Sequence, residues 1–313
     1  MVKATAPGKI ILFGEHAVVY GRPAIAVPLS EVRATAVVEP NRQQGVQLIA
    51  PDLGVKKNLA DSGPDDALAL AVRQVQLAAS LAQLPDISIT VTSDIPIASG
   101  LGSGAAICAA IIRALAGYLG LTHLASSEWI SSLTYEVEKI HHGTPSGIDN
   151  TVVTYERPVY FIRQQPDNLI ETFDIARPLR LLVADTGVRS STKDVVGDVR
   201  RSWQADRRRF ERIFDGCGEI AVAARAAIEM GDMVQIARLM SANQALLVDM
   251  TVSSPELNRL VAVSLDAGAL GAKLSGAGRG GNMIALVNSE KEEAVHSALI
   301  GAGSRSVLRS VIG

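Results

Sequence analysis

Apolar residues recur along the chain with the period of a strand in some stretches and of a helix in others. Alternating or short apolar runs bounded by turn residues predict strands. They lie at 9–13, 17–20, 24–29, 32–39, 87–92, 151–155, 159–163, 179–184, 272–275, 282–287 and 304–311. Apolar residues three and four positions apart predict helices. They lie at 65–84, 105–119, 127–142, 190–214, 217–230, 232–248, 255–267 and 290–300.

This order of elements predicts an α+β protein with two domains. A chain of 313 residues is long for one core. The pattern loosens at 164–178, so we place the domains at 1–178 and 179–313. In the second range four helices come before most of the strands, which favours helices segregated on a small antiparallel sheet.

A glycine-rich stretch connects the strand predicted at 87–92 to the helix predicted at 105–119. Free N–H groups and the positive end of the helix dipole meet at such a junction, and glycines let an anion approach the backbone. We therefore expect a phosphate group to bind there. The candidate residues are Pro96, Ile97, Ala98, Ser99, Gly100, Leu101, Gly102, Ser103, Gly104, Ala105 and Ala106.

Two glycine patterns resemble the dinucleotide-binding fingerprint, which would indicate a nicotinamide or flavin cofactor instead. Residues 100–105 fit the relaxed dinucleotide fingerprint, but a further helix follows where that fold needs a strand ending in an acidic residue. Residues 276–281 lie between two predicted strands, so they do not start a helix. Four glycines in six residues exceed the need of a turn, and we expect a ligand or another backbone to approach there.

Composition and net charge limit the classes of binding partner. The net charge of −2 gives no general attraction to nucleic acid or to an anionic membrane. The arginines at 200–209 alternate with acidic residues, as on a solvated helix face. No apolar leader precedes Lys9, and we expect a cytoplasmic protein. Cys108 and Cys217 fall in helical patterns and are interpreted as reduced packing residues.

Several polar side chains near these stretches are candidates for chemistry. Lys9 lies in a predicted strand, and we expect a functional role for it only if an acidic side chain or a phosphate group contacts it. Glu138 shares a helix face with His141 and His142, a possible zinc arrangement, although a single carboxylate better suits Mg²⁺ bound together with phosphate oxygens. Asp149 follows that helix, and its spacing fits a catalytic carboxylate and a simple cap equally well.

Four motifs together resemble the GHMP small-molecule kinases. They are Pro7–Gly21, Pro96–Ala106, His142–Asn150 and Lys273–Gly281, and they span nearly the whole chain. The first and third are most similar to those members that act on mevalonate rather than on galactose or homoserine. The resemblance implies the two-domain α+β GHMP kinase fold, with a mixed or antiparallel sheet in the N-terminal domain and a ferredoxin-like C-terminal domain.

The resemblance also implies an activity. It is the ATP-dependent phosphorylation of mevalonate to 5-phosphomevalonate, in isoprenoid precursor biosynthesis. Two alternatives stay open: a kinase of the same family acting on phosphomevalonate or a sugar, and a non-catalytic nucleotide-binding module. A homodimer is also kept open.

Site residues follow from the resemblance position by position. Asp149 corresponds to the catalytic aspartate and Lys9 to its partner, while Glu138 and Ser103 correspond to Mg²⁺ ligands. The implied contacts of mevalonate are Lys9, Glu15, His16, Asp149, Thr192, Gly276 and Ala277. Two departures are notable: Gly104 replaces a serine that is usual in the family, and Arg279 stands where glycine is frequent.

Overall fold

The computed structural model describes residues 1–96, 100–142 and 145–313, and at 141 and 142 the backbone only. Its strands are β1 (Val2–Phe13), β2 (Ala24–Pro40), β3 (Val46–Ala50), β4 (Val55–Asn58), β5 (Ile87–Ser93), β6 (Val159–Ile162), β7 (Leu169–Thr172), β8 (Leu179–Asp185), β9 (Gly271–Ser275), β10 (Asn282–Val287) and β11 (Ser306–Ile312). Its α-helices are α1 (Ala67–Ala78), α2 (Ser103–Tyr118), α3 (Ser127–His142), α4 (Ile148–Tyr155), α5 (Thr192–Ala205), α6 (Arg207–Met230), α7 (Met233–Asp249), α8 (Pro255–Asp266) and α9 (Glu292–Gly301). Short 3-10 helices lie at Ala17–Tyr20, Pro51–Leu53 and Leu59–Asp61.

Most predicted elements are confirmed, and four predictions are wrong. The helices predicted at 190–214 and 217–230 divide instead at Asp206, into α5 and α6, because the Asp206 carboxylate accepts from the Arg209 amide and caps the second helix. The strands predicted at 24–29 and 32–39 are one strand, β2, and the strand predicted at 17–20 is a 3-10 helix that ends at Gly21 in the left-handed region. The strand predicted at 151–155 is the helix α4. Apolar runs this short do not separate helix from strand by their period.

The helix α4 forms from residues that ordinarily favour strands. Gly147 precedes it with φ of 94°, which turns the chain into the helix. Within it, the Thr151 hydroxyl donates to the Gly147 carbonyl and the Thr154 hydroxyl to the Asn150 carbonyl, both at 2.7 Å. These bonds satisfy the buried hydroxyls inside the helix itself.

The described residues divide into two compact units. The first comprises residues 1–9, 30–96 and 101–156, and the second comprises 10–29, Gly100 and 157–313. The chain passes from the first unit to the second within β1, after residue 9, and returns to the first unit within β2, after residue 29. These interleaved units do not coincide with the ranges 1–178 and 179–313, which stay a prediction about the domains.

The first unit joins a mixed sheet to four helices. Strand β3 pairs antiparallel with β4 and parallel with β5, and β5 pairs antiparallel with β2. The helix α2 is apolar on nearly every face and is buried along most of its length, as a helix at the centre of a layer must be.

The second unit has the predicted antiparallel sheet. Its strand order is β11-β8-β10-β9, every pair is antiparallel, and the helices α5 to α8 and then α9 connect the strands in a βαββαβ sequence. This is the ferredoxin-like arrangement. Buried side chains of β8, β9 and β10 pack with Phe214 of α6 and Leu257 of α8 in one apolar core.

Gly14 and Gly54 offer a matched test of the turn that follows β1. Both have positive φ, 89° and 64°, but a Cβ on Gly14 would lie 2.4 Å from the Pro23 carbonyl oxygen, whereas one on Gly54 meets no atom within 4 Å. Gly54→Ala should cost only the backbone strain, about 1 kcal/mol. Gly14→Ala adds a clash with backbone, and we expect it to cost at least about 2 kcal/mol more or to prevent folding.

Thermal unfolding followed by circular dichroism measures both variants. Equal melting temperatures for the two would show that the turn at Gly14 relaxes freely and would contradict the prediction.

Candidate active site

Lys9 and Asp149 form an ion pair within the first unit. Lys9 Nζ is 3.0 Å from Asp149 Oδ1. The lysine side chain is 6% exposed and the aspartate 32% exposed, so the pair has one buried member and one that solvent reaches. The acid partner that Lys9 required is therefore present, and the Asp149 side chain is partly exposed.

The start of α2 holds Lys9 in place. The Lys9 amide donates to the Leu101 carbonyl at 2.9 Å. Gly102 has φ of 75°, and a Cβ there would lie 2.8 Å from Lys9 Cγ. Glycine is therefore required at position 102 for two reasons: its backbone conformation, and the close approach of the aliphatic part of the Lys9 side chain.

The first turn of α2 follows directly and begins at Ser103. The first N–H groups of an α-helix have no acceptor within the helix, so this turn presents donors to an anion. A Cβ on Gly104 would meet no atom of the described residues within 4 Å. The predicted residues Pro96 and Gly100 to Ala106 belong to the described chain, whereas Ile97, Ala98 and Ser99 lie outside it.

Glu138 of α3 supplies a second carboxyl group to this site. It is buried, and its pKa is raised to about 8, chiefly by burial and then by the negative charge of Asp149, with Lys9 acting in the opposite direction. Asn150 ties α4 to α3, because its amide donates to Ser131 Oγ at 2.8 Å. Glu138 and Asp149 are thus held on two helices that are hydrogen-bonded to each other.

The second unit brings together His16, Glu15 and the late glycine stretch. His16 Nε2 lies 2.9 Å from the Ala277 carbonyl oxygen and must donate to it, because a carbonyl only accepts. The Glu15 carboxylate forms a fully buried ion pair with Lys273, whose ammonium group also donates to the Leu274 carbonyl at 2.6 Å. Glu15 is itself buried, and no more than its edge reaches solvent.

The stretch at 276–281 is held by the backbone at Val252 and by the side chain of Ser190. The Arg279 amide donates to the Val252 carbonyl at 2.7 Å, and the Ser190 hydroxyl donates to the Gly278 carbonyl at 2.7 Å. A Cβ on Gly278 would lie 2.0 Å from the Val252 carbonyl oxygen, so the expected close backbone approach is present. Arg279 has φ of 55° and pairs with Asp198 of α5.

The remaining predicted residues take their places around that stretch. Thr192 is the first residue of α5, and Ser191 caps the helix by accepting from the Asp194 amide. Gly276 has φ of 90° and open space around its Cα.

Sequence reasoning assigned no role to Lys273 or to Asn150. Both stand inside the quoted motifs, next to residues that received one, and that position is the only signal the sequence offers for them.

Metal-ligand clusters and membrane-spanning helices bear on the remaining predictions. No group of three or more histidine, cysteine, aspartate or glutamate side chains in that part of the chain could hold a metal ion. The side chains of His141 and His142 lie outside the described part, so the zinc arrangement stays untested. Among the described helices, none is both long and apolar enough to cross a membrane.

The family comparisons agree with this geometry. Residues 59–157 match the GHMP kinases N terminal domain and residues 223–304 match the GHMP kinases C terminal domain. The chain therefore belongs to the GHMP kinase family.

Within that family, the chain is similar over its whole length to mevalonate kinases. It is 34% identical to the mevalonate kinase of Thermococcus onnurineus over 329 aligned residues, covering 99% of this chain and 96% of the relative. The crystal structure of L. major mevalonate kinase in complex with R-mevalonate superposes with a TM-score of 0.86 and 31% identity, covering 100% of this chain and 96% of that one. The Methanococcus jannaschii mevalonate kinase gives a TM-score of 0.85 with 26% identity, covering 99% and 98%.

His16 predicts a specific dependence of stability on pH. Burial, together with the positive charge of Arg279, lowers its pKa from 6.5 to about 4, although the bond to Ala277 opposes the shift. The unfolded chain therefore binds a proton that the folded chain does not between these values, and stability falls as pH drops from 6.5 toward 4. The difference amounts to about 3 kcal/mol at most.

Melting temperatures of the wild type and of His16→Asn at pH 7.5, 6.0 and 5.0 measure this effect. Asparagine tolerates the positive φ of 59° at this position and does not titrate there. The wild type should lose more stability than the variant on acidification. Parallel curves would mean that His16 takes up its proton in the folded state.

Proposed function

We propose that this chain transfers the γ-phosphate of ATP to mevalonate and forms 5-phosphomevalonate, as a step in isoprenoid precursor biosynthesis in the cytoplasm. The observation that carries the proposal is the 3.0 Å pair of Lys9 and Asp149 beside the glycine-rich start of α2, with the buried Glu138 next to it. A module that only binds nucleotide needs the glycine stretch but not a lysine and two carboxyl groups arranged around it.

Asp149 and Lys9 act on the acceptor alcohol in this proposal. Phosphoryl transfer passes through a loose transition state, so the protein mainly aligns the reactants and stabilises charge. A carboxylate is a weak base toward an alcohol. Asp149 therefore orients the mevalonate hydroxyl and accepts its proton late, while the ammonium group of Lys9 stabilises the negative charge that develops on the oxygen.

The first turn of α2 acts on the nucleotide. Its N–H groups and the positive end of the helix dipole suit the phosphate chain of ATP. Gly104 offers no hydroxyl where a serine is usual, and Ser103 one position earlier is the side chain of this turn that remains to meet Mg²⁺ or phosphate. No atom of the described residues lies within 4 Å of a Cβ built on Gly104, which agrees with an anion lying against the backbone there.

The carboxyl groups fit a Mg²⁺ ion. Mg²⁺ usually takes one or two protein carboxylates and completes its shell with phosphate and water. Glu138 and Asp149 are near enough for one to raise the pKa of the other, and a divalent cation would relieve that repulsion. Glu138, with Ser103, would hold the ion, which supplies neutralisation of the phosphate charge.

The similarity to mevalonate kinases over the whole chain supports mevalonate as the acceptor. We propose the predicted set Glu15, His16, Thr192, Gly276 and Ala277 as further contributors to its binding. Within this set, Glu15 contributes through the Lys273 pair and through its neighbour His16. The alternative acceptors in the family are phosphomevalonate and sugars.

Mg²⁺-dependent release of ADP tests the proposal directly. The purified chain is assayed with mevalonate, phosphomevalonate, galactose and homoserine, and the product is identified by phosphorus NMR. We expect kcat/KM for mevalonate to exceed the others by at least about a hundredfold, with phosphate on the 5-oxygen. A preference for phosphomevalonate would move the chain to the next kinase reaction, and no ADP release with any acceptor would favour a binding module.

Asp149→Asn separates chemistry from nucleotide binding. The amide keeps the size of the side chain but cannot accept the hydroxyl proton, so kcat should fall roughly a hundredfold or more. The Kd for ATP should stay within about threefold, because the first turn of α2 is unchanged. Steady-state kinetics and calorimetric titration with a non-hydrolysable ATP analogue measure the two quantities. A variant that keeps most of its kcat would remove Asp149 from the mechanism.

A further inference from the structure

Arg113 is the one charged residue in the sequence of α2, an otherwise apolar helix. Its side chain is 18% exposed and makes three contacts. Nη1 donates to the Thr5 carbonyl at 2.7 Å and to Glu156 Oε1 at 2.6 Å, and Nη2 donates to the Thr154 carbonyl at 2.5 Å. One guanidinium group thus bonds to two backbone oxygens and one carboxylate from different parts of the chain.

The elements that Arg113 joins are those that carry the candidate site. Thr5 lies on β1, which carries Lys9, and Thr154 lies on α4, whose first turn carries Asp149. Arg113 itself lies ten residues after Ser103, or roughly 15 Å along the helix from the turn proposed to bind phosphate. It fixes these three elements to one another at their ends away from the ion pair.

The residue that ends α4, Glu156, supplies the carboxylate that Arg113 contacts. Glu156 follows the helix with φ of 52°, a conformation in which glycine is the usual residue. A glycine there would have no carboxylate. Arg33 of β2 uses the same carboxylate, donating to Oε2 at 2.7 Å, and its Nε donates to Thr5 Oγ1 at 3.0 Å. Arg33 repeats the link between β1 and Glu156, but only Arg113 adds α2 to it.

We propose that Arg113 is a positioning residue that sets the placement of Lys9 and Asp149 relative to the phosphate-binding turn. The planar guanidinium group suits this task, since its N–H groups point in fixed directions and can bond to three acceptors at once. Reacting groups tolerate little displacement, and a shift of about 1 Å can cost a hundredfold in rate. The consequence for kcat rests on the proposed function, whereas the consequence for the Lys9–Asp149 pair does not.

Arg73 provides a matched control in the same unit. It lies on α1, and its guanidinium group donates to the carbonyls of Gly63, Leu59 and Ser62 at 2.8–3.2 Å. Like Arg113 it makes three hydrogen bonds, in this case all to backbone carbonyls, but the segment that it holds carries no candidate site residue. Arg113→Met and Arg73→Met remove equivalent clamps and should lower the melting temperature to a similar degree.

Chemical labelling tests the placement without any enzymatic assay. Acetic anhydride at limiting concentration modifies accessible lysines, and mass spectrometry measures the fraction modified at Lys9 in the intact protein. Arg113→Met should raise labelling of Lys9 at least about threefold over wild type, because the lysine loses its fixed partner. Arg73→Met should leave it unchanged. Equal Lys9 labelling in the two variants would overturn the proposal.

Kinetics test the consequence for the reaction. Arg113→Met should lower kcat for mevalonate phosphorylation about tenfold or more while both KM values stay within about threefold. Arg73→Met should keep kcat within about twofold. Adding Arg113→Met to Asp149→Asn should lower kcat further by less than about threefold, because Arg113 acts through the Lys9–Asp149 pair, which Asp149→Asn already disrupts. A full tenfold further loss would show that Arg113 acts independently of this pair and would overturn the assignment.

Two milder variants keep the test valid if Arg113→Met does not fold. Arg113→Lys retains the charge without the three-way geometry, and Glu156→Gln retains the carbonyl contacts without the charge pair. Both should fall between wild type and Arg113→Met in labelling and in kcat, and wild-type values in both variants would count against the proposal. A wild type that fails to phosphorylate mevalonate, combined with the predicted labelling, would refute the proposed function and leave the positioning role standing.

Discussion

The first unit depends on an ion pair of which one member is nearly excluded from water. Removing a charge from water costs several kcal/mol unless a partner is well placed, so Lys9 is stable in its position only while Asp149 stays near it. Their separation of 140 positions in the sequence means that no local interaction enforces this distance. The helices behind the pair, and the contacts that join them to β1, must therefore hold it.

The backbone around the ion pair also helps to hold Lys9 in position. Gly102 gives room to the stem of Lys9, and the amide of Lys9 is bonded to the residue before that glycine. For Gly104, by contrast, no described residue lies within 4 Å of the position of a Cβ. The two glycines therefore differ: packing against Lys9 requires Gly102, whereas no described neighbour requires Gly104, and the proposed phosphate contact would account for it.

Much of the site could be predicted from the sequence, because glycine patterns and helix starts are local. The spacing of Asp149 left a cap and a catalytic role equally open, and the structure shows why: the residue lies in the first turn of a helix, where a cap also would, and it faces a lysine. The pair of Glu15 and Lys273 joins residues 258 positions apart, and the sequence has no periodic signal for such a contact. The helix α4 was missed because its threonines satisfy their hydroxyls by bonds that a propensity scale does not contain.

The charges of the site are incomplete without a ligand. Lys9 balances one carboxylate, while burial and the negative charge of Asp149 raise the pKa of the second carboxyl group, Glu138, and so disfavour its charged form. Replacing Glu138 by an apolar residue would remove that desolvation cost. Under the proposed function, a divalent cation bound with the nucleotide would offset the same cost. The desolvation cost of burying the Glu138 carboxyl group is therefore consistent with the proposed binding of a metal–nucleotide complex.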